Sequence, residues 1–341
     1  MSQTTQMRRE IEEIPVAVDR LLTEGAGAVQ AAAADVRAAD IRYLISVARG
    51  SSDHACTYLK YASELLLGLP IASVGPSVAS IYNAPLKAEG ALCIGVSQSG
   101  ASPDIVRLAE QLTGAGAYSV AITNNADSAL AQASTKTLPI HAGPEISVAA
   151  TKTYVTSLVT GLWLLAEIKQ DAALLAAIKA LPAQLEAATK CDWSAVVDTI
   201  SGDSLYTLGR GPSWAVSNEA ALKFKETCQI HAESFSSAEV LHGPVSIVDA
   251  GFPVLGFAAA DAAEASLVEV ADTIAGKGAQ VFVTSDKVKT ANALDHVRTD
   301  HWLTDPIPLA VSFYAMVEQV AAKMGINPDA PRHLKKVTET V

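Results

Sequence analysis

Several residue types are scarce in this sequence, and each shortage excludes something. The four cysteines, Cys56, Cys93, Cys191 and Cys228, lie far apart, without the paired spacing of a zinc or iron–sulfur site. They read as free thiols, which suits a reducing, cytoplasmic setting. No His/Cys/Asp cluster has metal-ligand spacing, so neither a metal nor another cofactor is expected. Aromatic residues make up 5% of the chain although half of it is apolar, so alanine and aliphatic side chains must fill the core. Basic residues number 25 against 36 acidic ones, for a net charge of −11. With no long basic run, nucleic acid is not an expected partner. Any anionic ligand has to be held by local dipoles and a few lysines. A long apolar run is also lacking. The most apolar stretch, around Leu158 to Ile168, is interrupted by Thr160, Gly161 and Glu167, so no membrane span is expected. The opening MSQTTQMRRE has no apolar segment of the secretory type.

What is present alternates. At 341 residues two domains are expected, divided near 170 into 1–170 and 171–341. Residues 7–24 read as an amphipathic helix broken or kinked at Pro15, and 26–39 as an alanine-rich helix. Short apolar runs follow at Tyr43–Ala48, 70–74, 91–96, 118–123 and 137–140, separated by helical stretches. Strand and helix in alternation mean a parallel, doubly wound sheet whose ligands sit at the carboxyl ends of the strands. Long helices are expected to end near Gln170 and Lys323, and a further one to cover about 171–190.

The stretch Ala91 to Leu112, ALCIGVSQSGASPDIVRLAEQL, carries the first chemical signal. A buried strand runs into Ser97-Gln98-Ser99-Gly100. A helix then opens with Ser102 as N-cap, Pro103 at its first position and Asp104 in its first turn. Hydroxyls, an amide side chain, free backbone N–H groups and a helix dipole converge there, which suits a phosphate. The plain alternative is an ordinary β-to-α turn. Arg49-Gly50-Ser51-Ser52 forms a second polar turn of the same kind. Lys152, near a helix start where the dipole disfavours a cation, reads either as the neighbour of a bound anion or as a solvated surface lysine.

An internal repeat decides between these readings. Arg49-Gly50 matches Arg210-Gly211 at an offset of 210 − 49 = 161. Ile94-Gly95-Val96 matches Leu255-Gly256-Phe257 and Val120–Thr123 matches Val281–Thr284, each at 161 (256 − 95; 281 − 120). At the same offset Ser97-Gln98-Ser99 becomes Ala258-Ala259-Ala260. A phosphate site is therefore expected in the first copy alone. The second copy carries titratable groups instead. Glu219, Lys223 and Glu226 share one helical face, and His231, Glu233, Glu239 and His242 follow. A surface ion-pair stripe is the plain reading of the first three. Ala220, Ala221, Leu222 and Phe224 around them argue for a buried helix. The polar C-terminal stretch, with Arg332, Lys335 and Lys336, reads as a disordered tail or as one folded over a site.

With these motifs assembled, the chain resembles the sugar isomerase (SIS) family, in particular the isomerase half of glucosamine-6-phosphate synthase and stand-alone relatives that include the second type of glucosamine-6-phosphate deaminase. The resemblance covers nearly the whole chain. It rests on ARGSSDHA (48–55), VSQSGASPD (96–104), PEISVAATKTY (144–154), NEAALKFKETCQIHAESFSSAEVLHGP (218–244) and DAPRHLKKVT (329–338). It implies an α/β architecture of two tandem flavodoxin-like, three-layer αβα units on parallel sheets. It implies that Ser97, Gln98, Ser99 and Ser102 bind a sugar phosphate, with Gly50, Ser51 and Ser52 beside them. Val148 would contact the sugar, and Glu219 would stand among the substrate-facing residues. Glu226 would move a proton between C1 and C2 with Lys223 next to it. His242 would open the sugar ring from a partner subunit, making the protein a homodimer with its site at the interface. Lys336 would close over the ligand. Two positions depart from the synthase pattern. Ser102 stands for a threonine, and Ala150 for a serine that touches the sugar.

The resemblance also implies an activity. The synthase makes ammonia in an N-terminal glutaminase domain with a cysteine at its start, whereas here Met1-Ser2 leads directly into the first SIS-type helix, so the direction that releases ammonia is expected. The expected enzyme isomerises and deaminates glucosamine 6-phosphate, with Glu226, a carboxylate expected to be buried with a raised pKa, as the base. Deglycation of an amino-acid–sugar phosphate and simple aldose–ketose isomerisation use the same proton chemistry. A non-catalytic phosphosugar sensor is the reading from another class. A dinucleotide enzyme is excluded, because Gly209-Arg210-Gly211 lacks the third glycine of that fingerprint.

Overall fold

The computed structural model describes residues 4–336. The first sheet contains β1 (Tyr43–Val47), β2 (Ile71–Ser73), β3 (Ala91–Val96), β4 (Tyr118–Thr123) and β5 (Lys136–Pro139). The second contains β6 (Ser204–Gly209), β7 (His231–Ser236), β8 (Pro253–Phe257), β9 (Gln280–Val283) and β10 (Asn292–Ala293). The strand orders are β2-β1-β3-β4-β5 and, from the opposite edge, β7-β6-β8-β9-β10. Every pairing is parallel. The two sheets thus share one topology, the doubly wound αβ arrangement expected from the repeat.

The offset reaches the helices. Pro103–Gly114 and Glu264–Ala275 correspond end to end (264 − 103 = 161; 275 − 114 = 161). It fails at the last strand, where 136 + 161 = 297 but β10 occupies Asn292–Ala293. β7 was not anticipated. Its sequence, HAESFS, is mostly polar and half-exposed, as befits the edge of a sheet. The N-terminal helix is two helices, Gln6–Glu12 and Ile14–Glu24, with Pro15 in the first turn of the second, where its missing N–H costs no hydrogen bond.

The chain forms two compact units. One holds the first sheet and comprises 16–145, 152–179 and 335–336; the other holds the second sheet and comprises 4–15, 146–151 and 180–334. In the first-sheet unit Ile45, Val47, Cys93, Leu108 and Leu112 form an aliphatic core, and β3 is buried along its whole length. In the second-sheet unit Tyr206, Leu208, Val254, Leu267 and Val281 do the same. The helix Lys152–Lys169 is buried continuously from Lys152 to Ala166, and Pro306–Lys323 from Pro306 to Glu318. Both are therefore buried on all sides rather than along one stripe.

Glycine is required where the loop after β3 turns. Gly100 has φ +61°, and a Cβ there would lie 2.1 Å from Ser128 Oγ. Gly100→Ala should therefore lower stability by about 2–4 kcal/mol, from left-handed strain and overpacking together. Gly27, in the helix Ala26–Ala38, has open space where a Cβ would stand. Gly27→Ala should raise stability by up to about 1 kcal/mol. Urea unfolding of the two variants checks the contrast, and equal midpoints would refute it.

Candidate active site

In a 2-1-3-4-5 sheet the winding reverses between β1 and β3, and the loops leaving their carboxyl ends diverge to opposite faces. β1 and β3 pair with Val47 opposite Gly95, so the two polar turns leave the sheet at one level. Gly50 holds φ +55° and ψ −133°, a conformation open to glycine, and turns the chain into the helix Ser51–Leu66. Ser51 and Ser52 are the first two residues of that helix and are half-buried.

The loop after β3 is braced through its own carbonyls. Gln98 O accepts from Asn124 N–H at 3.1 Å and from Thr123 Oγ1 at 3.3 Å, and Gly100 O accepts from Leu130 N–H at 3.0 Å. Ser97 Oγ accepts from Gly100 N–H at 3.1 Å, and Ser99 Oγ accepts from Ala101 N–H at 3.3 Å. Among the described residues neither hydroxyl donates to a protein acceptor. Ser102 occupies the N-cap position of Pro103–Gly114 but makes no side-chain capping bond, unlike the expectation. Asp104, behind the loop, is fully buried and accepts from Arg49 Nε at 3.1 Å and Nη2 at 2.8 Å. This pair ties the two polar turns together and leaves a guanidinium, 56% exposed, beside them. Sequence reasoning missed the pairing, although both residues flank the motifs it used.

Lys152 is not a solvated surface lysine. It is buried, with Nζ donating to Pro144 O at 2.6 Å. The negative charge at that helix start is the chain's own. Buried Glu145 accepts from Thr153 N–H at 3.1 Å and from Thr153 Oγ1 at 2.6 Å, and Lys336 Nζ lies 3.1 Å from its Oε2. The stretch before Lys336 is thereby tied down rather than loose. In the second-sheet unit, buried Glu10 accepts the N–H groups of Ile146 and Ser147. Asp329 accepts from Gln6 N–H and Met7 N–H at 2.8 and 2.7 Å, and from Ser147 Oγ at 3.4 Å. Val148 N–H donates to Asp329 O at 3.3 Å. Two carboxylates, from segments far apart in sequence, thus set the backbone that presents Val148 and Ala150. Both of those residues are half-buried.

The acidic helix is not a surface stripe. Glu219 and Lys223 are completely buried, and their side chains lie 3.3 Å apart. Tyr314 Oη donates to Glu219 Oε1 at 2.9 Å. Lys223 Nζ also donates to Glu226 Oε2 in a short contact. Glu226 differs from the expectation of a buried carboxylate, since its side chain keeps 21% exposure. It sits on a single π-helical turn, Phe224–Cys228, which ends the helix Trp214–Lys223. Burial alone would push the Lys223 ammonium down, but the carboxylates of Glu219 and Glu226 outweigh it and hold Lys223 above the ordinary lysine range. The product is a carboxylate open on one side and fixed on the other by a permanent cation, the geometry of a positioned general base. His242 ends the turn Glu239–His242 and is exposed, with Leu241 and Ile247 exposed nearby at 44% and 57%.

Among the described residues no His, Cys, Asp and Glu group could hold a metal ion, and no helix is long and apolar enough to cross a membrane. All four thiols are disfavoured as thiolates. Burial pushes Cys93 and Cys228 up to about 12 and raises Cys56 and Cys191 as well.

Comparison with known proteins follows the same division. The family described as SIS domain matches residues 38–168 and 200–324. A crystal structure from Silicibacter pomeroyi DSS-3, provisionally described as a phosphosugar isomerase, is 62% identical, with a TM-score of 0.93 over 96% of this chain and 100% of that one. The C-terminal domain of glucosamine-fructose-6-phosphate aminotransferase from Francisella tularensis is 23% identical, with a TM-score of 0.84 over 97% of this chain and 100% of that one, a likeness of fold. Glutamine–fructose-6-phosphate aminotransferase (isomerizing) from Sulfolobus acidocaldarius is 31% identical over 300 residues, covering 86% of this chain and 49% of that protein. The chain spans about half the length of the curated relatives it matches.

Lys223→Met should leave two carboxylates without their cation and cost about 3–5 kcal/mol. Because the folded-state pKa of Lys223 is raised, its contribution is complete below the ordinary lysine value of 10.5 and is lost as pH climbs above it. Urea titrations at neutral and strongly alkaline pH should therefore show the gap between wild type and K223M narrowing with pH. A gap that widened or stayed constant would contradict the assignment.

Proposed function

For a chain that belongs to the SIS domain family through two copies of the domain, we propose a phosphosugar isomerase acting on an aminosugar phosphate, glucosamine 6-phosphate for preference, with release of ammonia and fructose 6-phosphate. The observation that carries the reading is the asymmetry of the repeat. The first copy presents hydroxyls, N–H groups and a helix start in the loop 97–102, and the second presents Glu226 held against the buried ammonium of Lys223. The descriptions of the relatives, a phosphosugar isomerase and fructose-6-phosphate aminotransferases, support the substrate class.

The steps follow from these groups. Ser97, Gln98, Ser99 and Ser102 hold the phosphate, with Ser51 and Ser52 beside them. His242 moves the proton that opens the ring to the aldehyde. Glu226 takes the C2 proton of the open-chain sugar, giving an enolamine, and the proton is returned at C1. Lys223 holds Glu226 in place, and Glu219 with Tyr314 keeps Lys223 in place. Water then adds to the resulting C2 imine; ammonia leaves and the ketose remains. The exposure of His242, with Leu241 and Ile247 near it, suits a side chain that serves a partner subunit's substrate in a homodimer.

Ammonia release from glucosamine 6-phosphate by purified protein tests the reading. No ammonia from any hexosamine 6-phosphate would eliminate deamination, leaving isomerisation or deglycation to be assayed with the corresponding substrates. Glu226→Gln should lower kcat by about 10²–10⁴-fold with substrate binding retained. Ser99→Ala should act mainly on KM. Turnover unaffected by E226Q would remove Glu226 as the base, and sugar-phosphate binding by the wild type with no turnover of any substrate would point to a sensor. Mixing inactive E226Q and H242N chains should restore part of the activity if two subunits build each site, and no recovery would refute the shared site.

A further inference from the structure

The second sheet repeats the switch point of the first but fills it from within. By the repeat offset Ser99 corresponds to Ala260 (260 − 99 = 161). Among the described residues the Ser99 N–H donates to no protein acceptor, whereas the Ala260 N–H donates to Asp305 Oδ2 at 2.6 Å. Asp305 is completely buried. Its Oδ1 accepts from Thr299 N–H at 2.9 Å, and its Oδ2 also accepts from Arg298 Nη1 at 2.7 Å. Arg298 is fixed in turn: Nη1 donates to Ala258 O at 2.9 Å, and Nη2 to Thr284 O and Glu264 Oε1 at 2.9 and 3.1 Å.

Asp305 stands at the start of the helix Pro306–Lys323 and yet makes no capping bond to it. An aspartate at that position ordinarily accepts an N–H from its own first turn. This carboxylate points instead at the loop that follows β8. Two backbone N–H groups and a guanidinium around oxygen are the donor set that proteins offer to phosphate oxygens. We propose that Asp305 is an internal anion occupying the second unit's counterpart of the phosphate loop, so that each chain takes a single phosphoester and removal of this carboxylate opens a second anion site. The proposal rests on the reading of loop 97–102 as a phosphate site. It also accounts for Ala258-Ala259-Ala260: with the cradle filled, side-chain donors there have no ligand to serve, and an added dianion would meet Asp305 and Glu264 at short range.

The test uses the full chain in chloride buffer. Asp305→Ala should lower the thermal midpoint, and formate should restore it saturably while leaving wild type unmoved. Asp305→Asn, which fills the space without charge, should be destabilised and insensitive to formate. An Asp305→Ala variant as stable as wild type, or one that ignores formate, overturns the proposal. Should D305A not fold, wild-type crystals soaked in inorganic phosphate decide: density at loop 97–102 and none at the Ala260 N–H is expected, and phosphate against Ala260 overturns it. These readouts concern stability and occupancy, not turnover, so a chain inactive on glucosamine 6-phosphate would defeat the proposed function and leave the internal anion standing.

Discussion

Parallel strands cannot be joined by tight turns, and everything else here follows from that constraint. Parallel neighbours need a crossover connection, usually a helix, and the winding must reverse somewhere to cover both faces of the sheet. The reversal falls between β1 and β3, and between β6 and β8. At those points two loops part, and the helices that follow them turn their amino ends toward the gap. The position is electropositive before any side chain is chosen. Side chains then decide its use: hydroxyls, Gln98 and Arg49 in one copy, alanines and an aspartate in the other.

Much of this was legible in the sequence because it is local or periodic. Buried parallel strands announce themselves as short apolar runs, and three of them recurring at one offset gave the duplication and the common topology. The loop 97–102 was legible because Pro103 and Asp104 mark a helix start. What was illegible depends on contacts between distant residues. Lys152 seemed anomalous at a helix start because its neighbour Glu145, which carries the negative charge there, precedes it in an irregular loop whose direction no periodicity reveals. Glu10 and Asp329 looked like ordinary members of a polar helix and tail, and only the fold brings both to residues 146–148. β7 failed as a strand by pattern because an edge strand need not alternate cleanly.

The burial of Lys223 bears on how proton chemistry is kept workable in such a core. An isolated buried ammonium would give up its proton, and an isolated buried carboxylate would take one. Set as Glu219, Lys223 and Glu226, with Tyr314 donating to the first, the two carboxylates hold the buried ammonium of Lys223 in its charged form. The arrangement is unequal by design of the backbone. Glu219 lies within the regular helix and is sealed off, while Glu226 lies on the π turn and keeps part of its side chain exposed. An ion pair that was wholly buried would be inert, and one wholly exposed would be weak and screened. Exposure of one of the two carboxylates is what would let the cluster serve as a reagent rather than a brace.

On the proposed function, the duplicated fold explains why neither copy would keep both tasks. A carboxylate that must abstract a proton from a substrate carbon works against nearby negative charge, and a phosphate is a dianion. Two equivalent phosphate loops would bring two dianions to a chain that already carries a net charge of −11. Losing the donors at 258–260 removes one of them, but it leaves N–H groups at a buried switch point without acceptors, at about 1–3 kcal/mol apiece. A carboxylate supplied from the start of the next helix meets that demand and is itself neutralised by Arg298. The specialisation of the second copy therefore required two changes, loss of the loop donors and gain of an internal acceptor, and the second is the one that keeps the emptied loop folded.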